Sequence, residues 1–255
     1  MTENNIAIET NNLSKIYGKV EALLNLNIRI KEGELYGLLG PNGAGKTTTV
    51  RLLNCIIKPT SGYANVGVYS IFKEPNKVKK ITGYLPESPA LYQKLTALEY
   101  LEYVGKLYNL SKNVIESRIN ELLTLFELSD RKYDLIEEYS LGMKQKVCLS
   151  AALIQDPEII FLDEPTSGLD PAASRMVKDL ILKLVEEADK TIFLCTHLLD
   201  IAEELCDRIG IINRGQIKTE GEVKDIIEQN NVDSLESAYL KVLGIKKLSD
   251  LLSWR

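Results

Sequence analysis

From Ala22 to Ile30 apolar and polar residues alternate, with Leu24, Leu26, Ile28 and Ile30 on every second position. That period belongs to a strand with one buried and one wet face, and Ile6 to Glu9 reads in the same way, so an antiparallel sheet is predicted near the start of the chain. Elsewhere the apolar runs are unbroken. Leu35 to Leu39, Ile159 to Leu162 and Thr191 to Cys195 are short, nearly continuous apolar stretches, and helical patterns at Val147 to Ile154 and Ala172 to Glu187 alternate with the last two. Such runs predict parallel strands covered on both faces. Further strands are expected at Tyr63 to Tyr69 and at Gly83 to Leu85, where Pro86 stops the ladder. Ile209 to Ile212 and Gln216 to Thr219 flank Asn213-Arg214-Gly215 and predict a hairpin.

The middle of the chain has a different period. Thr96-Ala97-Leu98-Glu99 is a capping-box start, Leu98, Leu101, Val104 and Tyr108 share one helical face, and Val114 to Phe126 repeats the pattern. Helices without strands between them predict a helical subdomain over residues 88–144, inserted into an α/β core formed by residues 1–87 and 145–222. Residues 223–255 are expected to be a helical extension with an apolar stripe at Leu235, Tyr239, Val242 and Leu243.

Chemistry enters between Leu39 and Thr49. Gly40-Pro41-Asn42-Gly43-Ala44-Gly45-Lys46-Thr47-Thr48 is a complete GxxxxGK[ST] phosphate loop, preceded by a predicted strand and followed by the helical run Thr49 to Leu53. Glycines let consecutive backbone N–H groups turn toward phosphate oxygens, and the positive end of the helix dipole points to the same place. Lys46 supplies a point charge for the β- and γ-phosphates, and the Thr47 hydroxyl is placed to ligate Mg²⁺. A nucleoside triphosphate is the expected ligand.

Asp163 and Glu164 end the apolar run at Ile159, at the carboxyl edge of the expected sheet where ligands of open α/β proteins bind. Beside a phosphate loop, Asp163 is suited to hold Mg²⁺ and Glu164 to take a proton from attacking water. His197, the only histidine, follows the run at Thr191 and reads either as a γ-phosphate contact or as a helix-start residue. Tyr17 reads either as ordinary packing or as an aromatic platform for a base.

Composition narrows the classes. With 31 basic against 36 acidic residues the net charge is −5, which speaks against broad nucleic-acid binding. Cys55, Cys148, Cys195 and Cys206 form no CxxC pair and are expected as free thiols in a reducing compartment. Met1 to Asn5 lacks the basic and apolar regions of a signal peptide, and no apolar run reaches the roughly 20 residues of a membrane helix. A cytoplasmic protein is expected, with any membrane role exercised through a partner.

In their order along residues 6–222 these motifs resemble the nucleotide-binding subunit of an ATP-binding cassette (ABC) transporter. The resemblance rests on Tyr17, the Walker A loop Gly40 to Thr48, Glu87 at the glutamine-loop position, Tyr139-Ser140-Leu141-Gly142-Met143-Lys144-Gln145 at the signature, Ile159 to Glu164 as Walker B, Ser167-Gly168-Leu169-Asp170 as the D-loop, and His197 as the switch. It implies an α/β fold: a RecA-like P-loop NTPase core with an antiparallel β subdomain and the inserted helical subdomain. It also implies ATP and Mg²⁺ as ligands, Thr47, Glu87 and Asp163 on the metal side, and a head-to-tail dimer, with itself or a related cassette. Ser140 and the Gly142 N–H would then reach the γ-phosphate held by the other copy. Asp170 would cross the interface, Glu164 would polarise water, His197 would bridge it to the γ-phosphate, and Tyr17 would stack on adenine. Glu87 in place of the usual glutamine, and Leu141 and Met143 within the signature, resemble the branch that powers drug, antibiotic-immunity or ion exporters through a separate membrane subunit. An importer subunit is a second reading. Soluble relatives that act on ribosomes or DNA carry two cassettes or a long coiled-coil insertion, which 255 residues do not hold. A GTPase or kinase would leave the signature unexplained, and Asn76-Lys77-Val78-Lys79 lacks the aspartate that reads guanine.

Overall fold

The computed structural model describes residues 5–245; the ends of the chain, including Trp254, lie outside them. Two sheets stand on one another. The antiparallel one is built from β1 (Ile6–Tyr17), β2 (Val20–Leu26) and β3 (Arg29–Lys31), joined later in the chain by β5 (Ser61–Val66) and β6 (Tyr69–Ser70). The second begins with β4 (Leu35–Leu39), which runs through the loop at Gly40 into α1 (Lys46–Leu53), and continues after α2 (Pro75–Ile81) with β7 (Thr82–Leu85).

Then come α3 (Ala97–Leu107), α4 (Lys112–Leu125) and α5 (Leu141–Leu153), followed by β8 (Ile159–Asp163), α6 (Pro171–Glu186), β9 (Thr191–Thr196), α7 (Leu199–Leu205), β10 (Arg208–Asn213), β11 (Gln216–Gly221), α8 (Val223–Gln229) and α9 (Leu235–Leu243). The order of this sheet is β11-β10-β4-β9-β8-β7, parallel throughout except for β11 at its edge.

The unbroken apolar strands resolve into two faces. In β8, Ile160 and Leu162 point into a core shared with α3 to α6, whereas Ile159 and Phe161 point into the core beneath the antiparallel sheet. In β9, Ile192 and Leu194 take the first face and Phe193 and Cys195 the second. With both faces covered no polar position is needed, which is why the alternation is invisible in the sequence. A third cluster sets Leu235, Ala238, Tyr239, Val242 and Leu243 of α9 against Ile209 and Ile211 of β10.

Several boundaries differ from those expected. The stretch Leu13 to Tyr17 is strand, not connection, because β1 has ladder partners on both sides, β2 and β3 on one and β5 on the other. The single strand predicted from Ala22 to Ile30 is two, broken at Asn27-Ile28. The break is held by Thr10, whose hydroxyl donates to the Leu26 carbonyl at 2.9 Å and accepts from the Ile28 N–H at 2.9 Å. The helix α2, opened by Pro75 at its first position, was not expected at all; seven residues are too few for a clear helical period.

At Thr96 the expected capping box is present, with the hydroxyl accepting from the Glu99 N–H at 3.1 Å and the Glu99 carboxylate accepting from the Thr96 N–H at 2.8 Å. The helix α5 begins at Leu141, capped by Ser140, and runs unbroken past Lys144. It therefore carries the helical segment directly into the sheet core.

Candidate nucleotide-binding site

The loop from Gly40 to Gly45 leaves β4 at the carboxyl edge of the parallel sheet and delivers its backbone to the start of α1. Glycine is required at both ends. A Cβ on Gly40 would stand 2.4 Å from the Ile212 carbonyl oxygen, and one on Gly45 would stand 2.7 Å from that of Ala22. Gly45 also takes a φ of 116°, which L side chains rarely adopt. The loop is therefore wedged between β2 and β10 and closes on itself: Lys46 Nζ donates to the Gly40 carbonyl at 2.7 Å and to that of Pro41 at 3.4 Å.

Lys46 is 6% exposed, and its Nζ lies 3.7 Å from Glu164 Oε1. Glu164, itself buried, leaves β8 in the left-handed region at φ 53° while its backbone N–H donates to the Cys195 carbonyl at 2.9 Å. That turn sends the carboxylate toward the end of β9. There Oε2 accepts from the Thr196 hydroxyl at 3.1 Å, and Oε1 lies 2.8 Å from Nδ1 of the half-exposed His197. Lys46, Glu164 and His197 thus form one chain of polar contacts from three separate segments.

Asp163 is 1% exposed and its Oδ2 has no hydrogen-bond partner among the described residues. Burial pushes its carboxyl up to about 6; the Thr47 hydroxyl and Lys46 act in the opposite direction, and the negative charges of Glu87 and Glu164 add to the rise. A buried, unpartnered carboxylate oxygen beside a hydroxyl and further carboxylates is a donor set fit for a hard cation. Among the described residues no three such side chains cluster as a closed protein cage. This suits Mg²⁺, which is usually bound through one or two carboxylates together with substrate phosphates.

Asn42, Gly43, Ala44, Gly45, Lys46, Thr47, Thr48, Glu87, Asp163 and Glu164 line a single cavity of about 370 Å³. Gly40 borders it through its bond to Lys46, and His197 through Glu164. Other expected residues stand apart. Tyr17 ends β1, is 45% exposed, carries Lys15 Nζ 4.9 Å from its ring centroid, and does not line the cavity. Ser140 caps α5 by accepting from the Met143 N–H at 3.2 Å, and Asp170 caps α6 by accepting from the Ala173 N–H at 2.9 Å. Their two segments pack together, with Leu141 over Gly168 and Leu169 beside Gly142, but none of these residues lines the cavity. Sequence reasoning passed over Thr196, whose only signal is its place at the end of an apolar strand, and Ala22, which contributes lining from β2.

The model of the family described as ABC transporter matches residues 23–167. The chain belongs to the ABC transporter family. It is 37% identical over 240 residues to the linearmycin resistance ATP-binding protein of Bacillus subtilis, an alignment covering 94% of this chain and 76% of that one. It is 40% identical over 213 residues to the bacitracin transport ATP-binding protein of Bacillus licheniformis, covering 84% and 69%. A dimeric ATP-binding cassette solved in a post-hydrolysis state with ADP and Pi superposes with a TM-score of 0.78 at 30% identity, over 84% of this chain and 98% of that one. The chain spans between 64% and 91% of the length of the curated relatives it matches. The ABC fold, the phosphate loop and the family agree on an ATP-binding ATPase subunit of a transporter. Among the described residues no helix is long and apolar enough to cross a membrane.

Proposed function

We propose that this subunit powers export through a separate membrane subunit, with Glu164 as the base of ATP hydrolysis. The observation that carries the reading is the contact chain Lys46, Glu164, His197 at the end of the phosphate-loop cavity. Backbone N–H groups from Asn42 to Thr48 bind the triphosphate, and Lys46 exchanges its loop carbonyls for β- and γ-phosphate oxygens. Glu164 accepts a proton from the attacking water, and His197, hydrogen-bonded to Glu164, orients that water toward the γ-phosphate. Thr47, Asp163 and Glu87 would hold Mg²⁺. When bound, the cation neutralises charge on the phosphate oxygens. Tyr17 offers an exposed ring for the adenine.

Ser140, Gly142 and Asp170 serve a second copy of this chain or a related cassette. The exposure of Ser140 and Asp170 and the half-buried place of Gly142 at the starts of α5 and α6, away from the cavity of their own chain, support action across a head-to-tail dimer. Export is favoured by the relatives named for linearmycin resistance and bacitracin transport, together with Glu87 and the Leu141 and Met143 variants. The membrane subunit, which would tether the protein to the cytoplasmic face of the cell membrane, docks between the Glu87 segment and the helical subdomain. A cleft of about 290 Å³ lies there, lined by Tyr84, Pro86, Tyr100 and Tyr108 among others.

The test of the chemistry is Glu164→Gln, which is expected to bind ATP, form a stable dimer and lose turnover; normal turnover would remove Glu164 from the mechanism. The test of the partner is capture from detergent-solubilised membranes with identification by mass spectrometry. A polytopic membrane protein in comparable amount is expected, and recovery with ribosomes or nucleic acid alone would overturn the export reading.

A further inference from the structure

We infer that Thr196 is a positioning residue for hydrolysis: its hydroxyl fixes which oxygen of Glu164 faces the reacting water. The inference rests on the reading of Glu164 as the base. Thr196 is the last residue of β9 and pairs in the parallel ladder with Leu39, the residue immediately before the phosphate loop, so its position is set by the same sheet that sets the loop. It is 1% exposed.

The hydroxyl has two partners with fixed roles. It accepts from the Leu198 N–H at 3.0 Å, and with that lone pair occupied its own proton is directed to Glu164 Oε2, 3.1 Å away. A hydroxyl has a single proton to donate, so Oε2 is tied to the sheet. Oε1 is then the oxygen presented to Lys46 and His197, at 3.7 and 2.8 Å.

This matters because Glu164 is itself in the left-handed region just past its strand, and among the described residues its carboxylate is hydrogen-bonded by Thr196 and His197 alone. Lys46 is expected to turn to phosphate when nucleotide binds, and His197 is half exposed. Among these contacts the buried Thr196 hydroxyl is the one that neither nucleotide nor solvent displaces. A base held by one oxygen keeps the other within a narrow range of positions, which general-base catalysis requires.

The experiment compares Thr196→Val, Thr196→Ser and Glu164→Gln with the unaltered protein, measuring kcat and KM for ATP and the Kd for ATP by equilibrium binding. Because a hydrogen bond to a charged group is involved, Thr196→Val is expected to lower kcat roughly 10- to 100-fold. Its KM and Kd should stay within about twofold of the unaltered values, and Thr196→Ser should restore kcat. If Thr196→Val does not fold, Thr196→Ala takes its place in the same comparison. Wild-type kcat in Thr196→Val, a loss confined to KM, or equal impairment of the serine variant would each overturn the inference. A dead Glu164→Gln beside a normal Thr196→Val would sink the role of Thr196 alone, whereas an active Glu164→Gln would sink the base and with it this inference.

Discussion

The two ends of the expected catalytic apparatus differ in how complete they are within one chain. Lys46, Asp163 and Glu164 are buried and charged, drawn from the start of α1 and the end of β8, and they line one cavity. Around Ser140, Gly142 and Asp170 the groups sit at two helix starts, with the exposed Ser140 and Asp170 side chains occupied with capping. Burial of charge is costly unless it serves a ligand or a partner, and the first region bears that cost in the unpartnered Oδ2 of Asp163. The second bears none, because its donors remain in water until another surface covers them. One half of the apparatus is pre-assembled; the other half is the one proposed to meet a second molecule.

Substitutions can break this contrast. The largest effect is expected at Glu164, where replacement by Gln should reduce turnover at least about 100-fold, the scale of losing a general base, with ATP affinity retained. At the signature, Ser140→Ala removes a donor proposed to act on the other copy. Turnover should fall roughly tenfold, while the Kd for ATP of dilute protein stays the same; a weakened Kd in the monomer would place Ser140 in its own cavity and erase the contrast.

The pH response of Asp163 sharpens it. With its carboxyl raised to about 6, chiefly by burial, the folded protein holds this proton more tightly than the unfolded chain does. Ionising the group therefore removes stability as pH rises from about 4 to 6, by ~1.4 kcal/mol per pH unit at most. Asp163→Asn should raise the melting temperature of nucleotide-free protein at pH 8 and abolish Mg²⁺-dependent hydrolysis. In the unaltered protein, the apparent affinity for Mg²⁺ should fall as pH drops through about 6, because the cation must then displace the proton from the Asp163 carboxyl.

The smallest effect belongs to the helical subdomain. Thr96→Ala removes the α3 cap and should cost about 0.5–2 kcal/mol in denaturant unfolding while leaving kcat unchanged.

Local chemistry was legible in the chain itself. The phosphate loop is a contiguous segment whose glycines, lysine and threonine act through near neighbours, and the capping box at Thr96 and the half-buried strands likewise follow from short-range patterns. Strand ends were less clear: Leu13 to Tyr17 carries no alternation that marks it as strand, and only its partners β2 and β5 make it one. Long-range geometry decided the rest. That Glu164, His197 and Thr196 meet depends on β8 and β9 being neighbours in the parallel sheet, and that Gly40 and Gly45 must be glycine depends on the carbonyls of Ile212 and Ala22. Sequence determined which groups are available to bind phosphate and move a proton, because each is specified by residue type and its immediate flanks. Tertiary structure decided which of them face one cavity and which face outward, because parallel strands join at their edges residues that lie more than thirty positions apart in the chain.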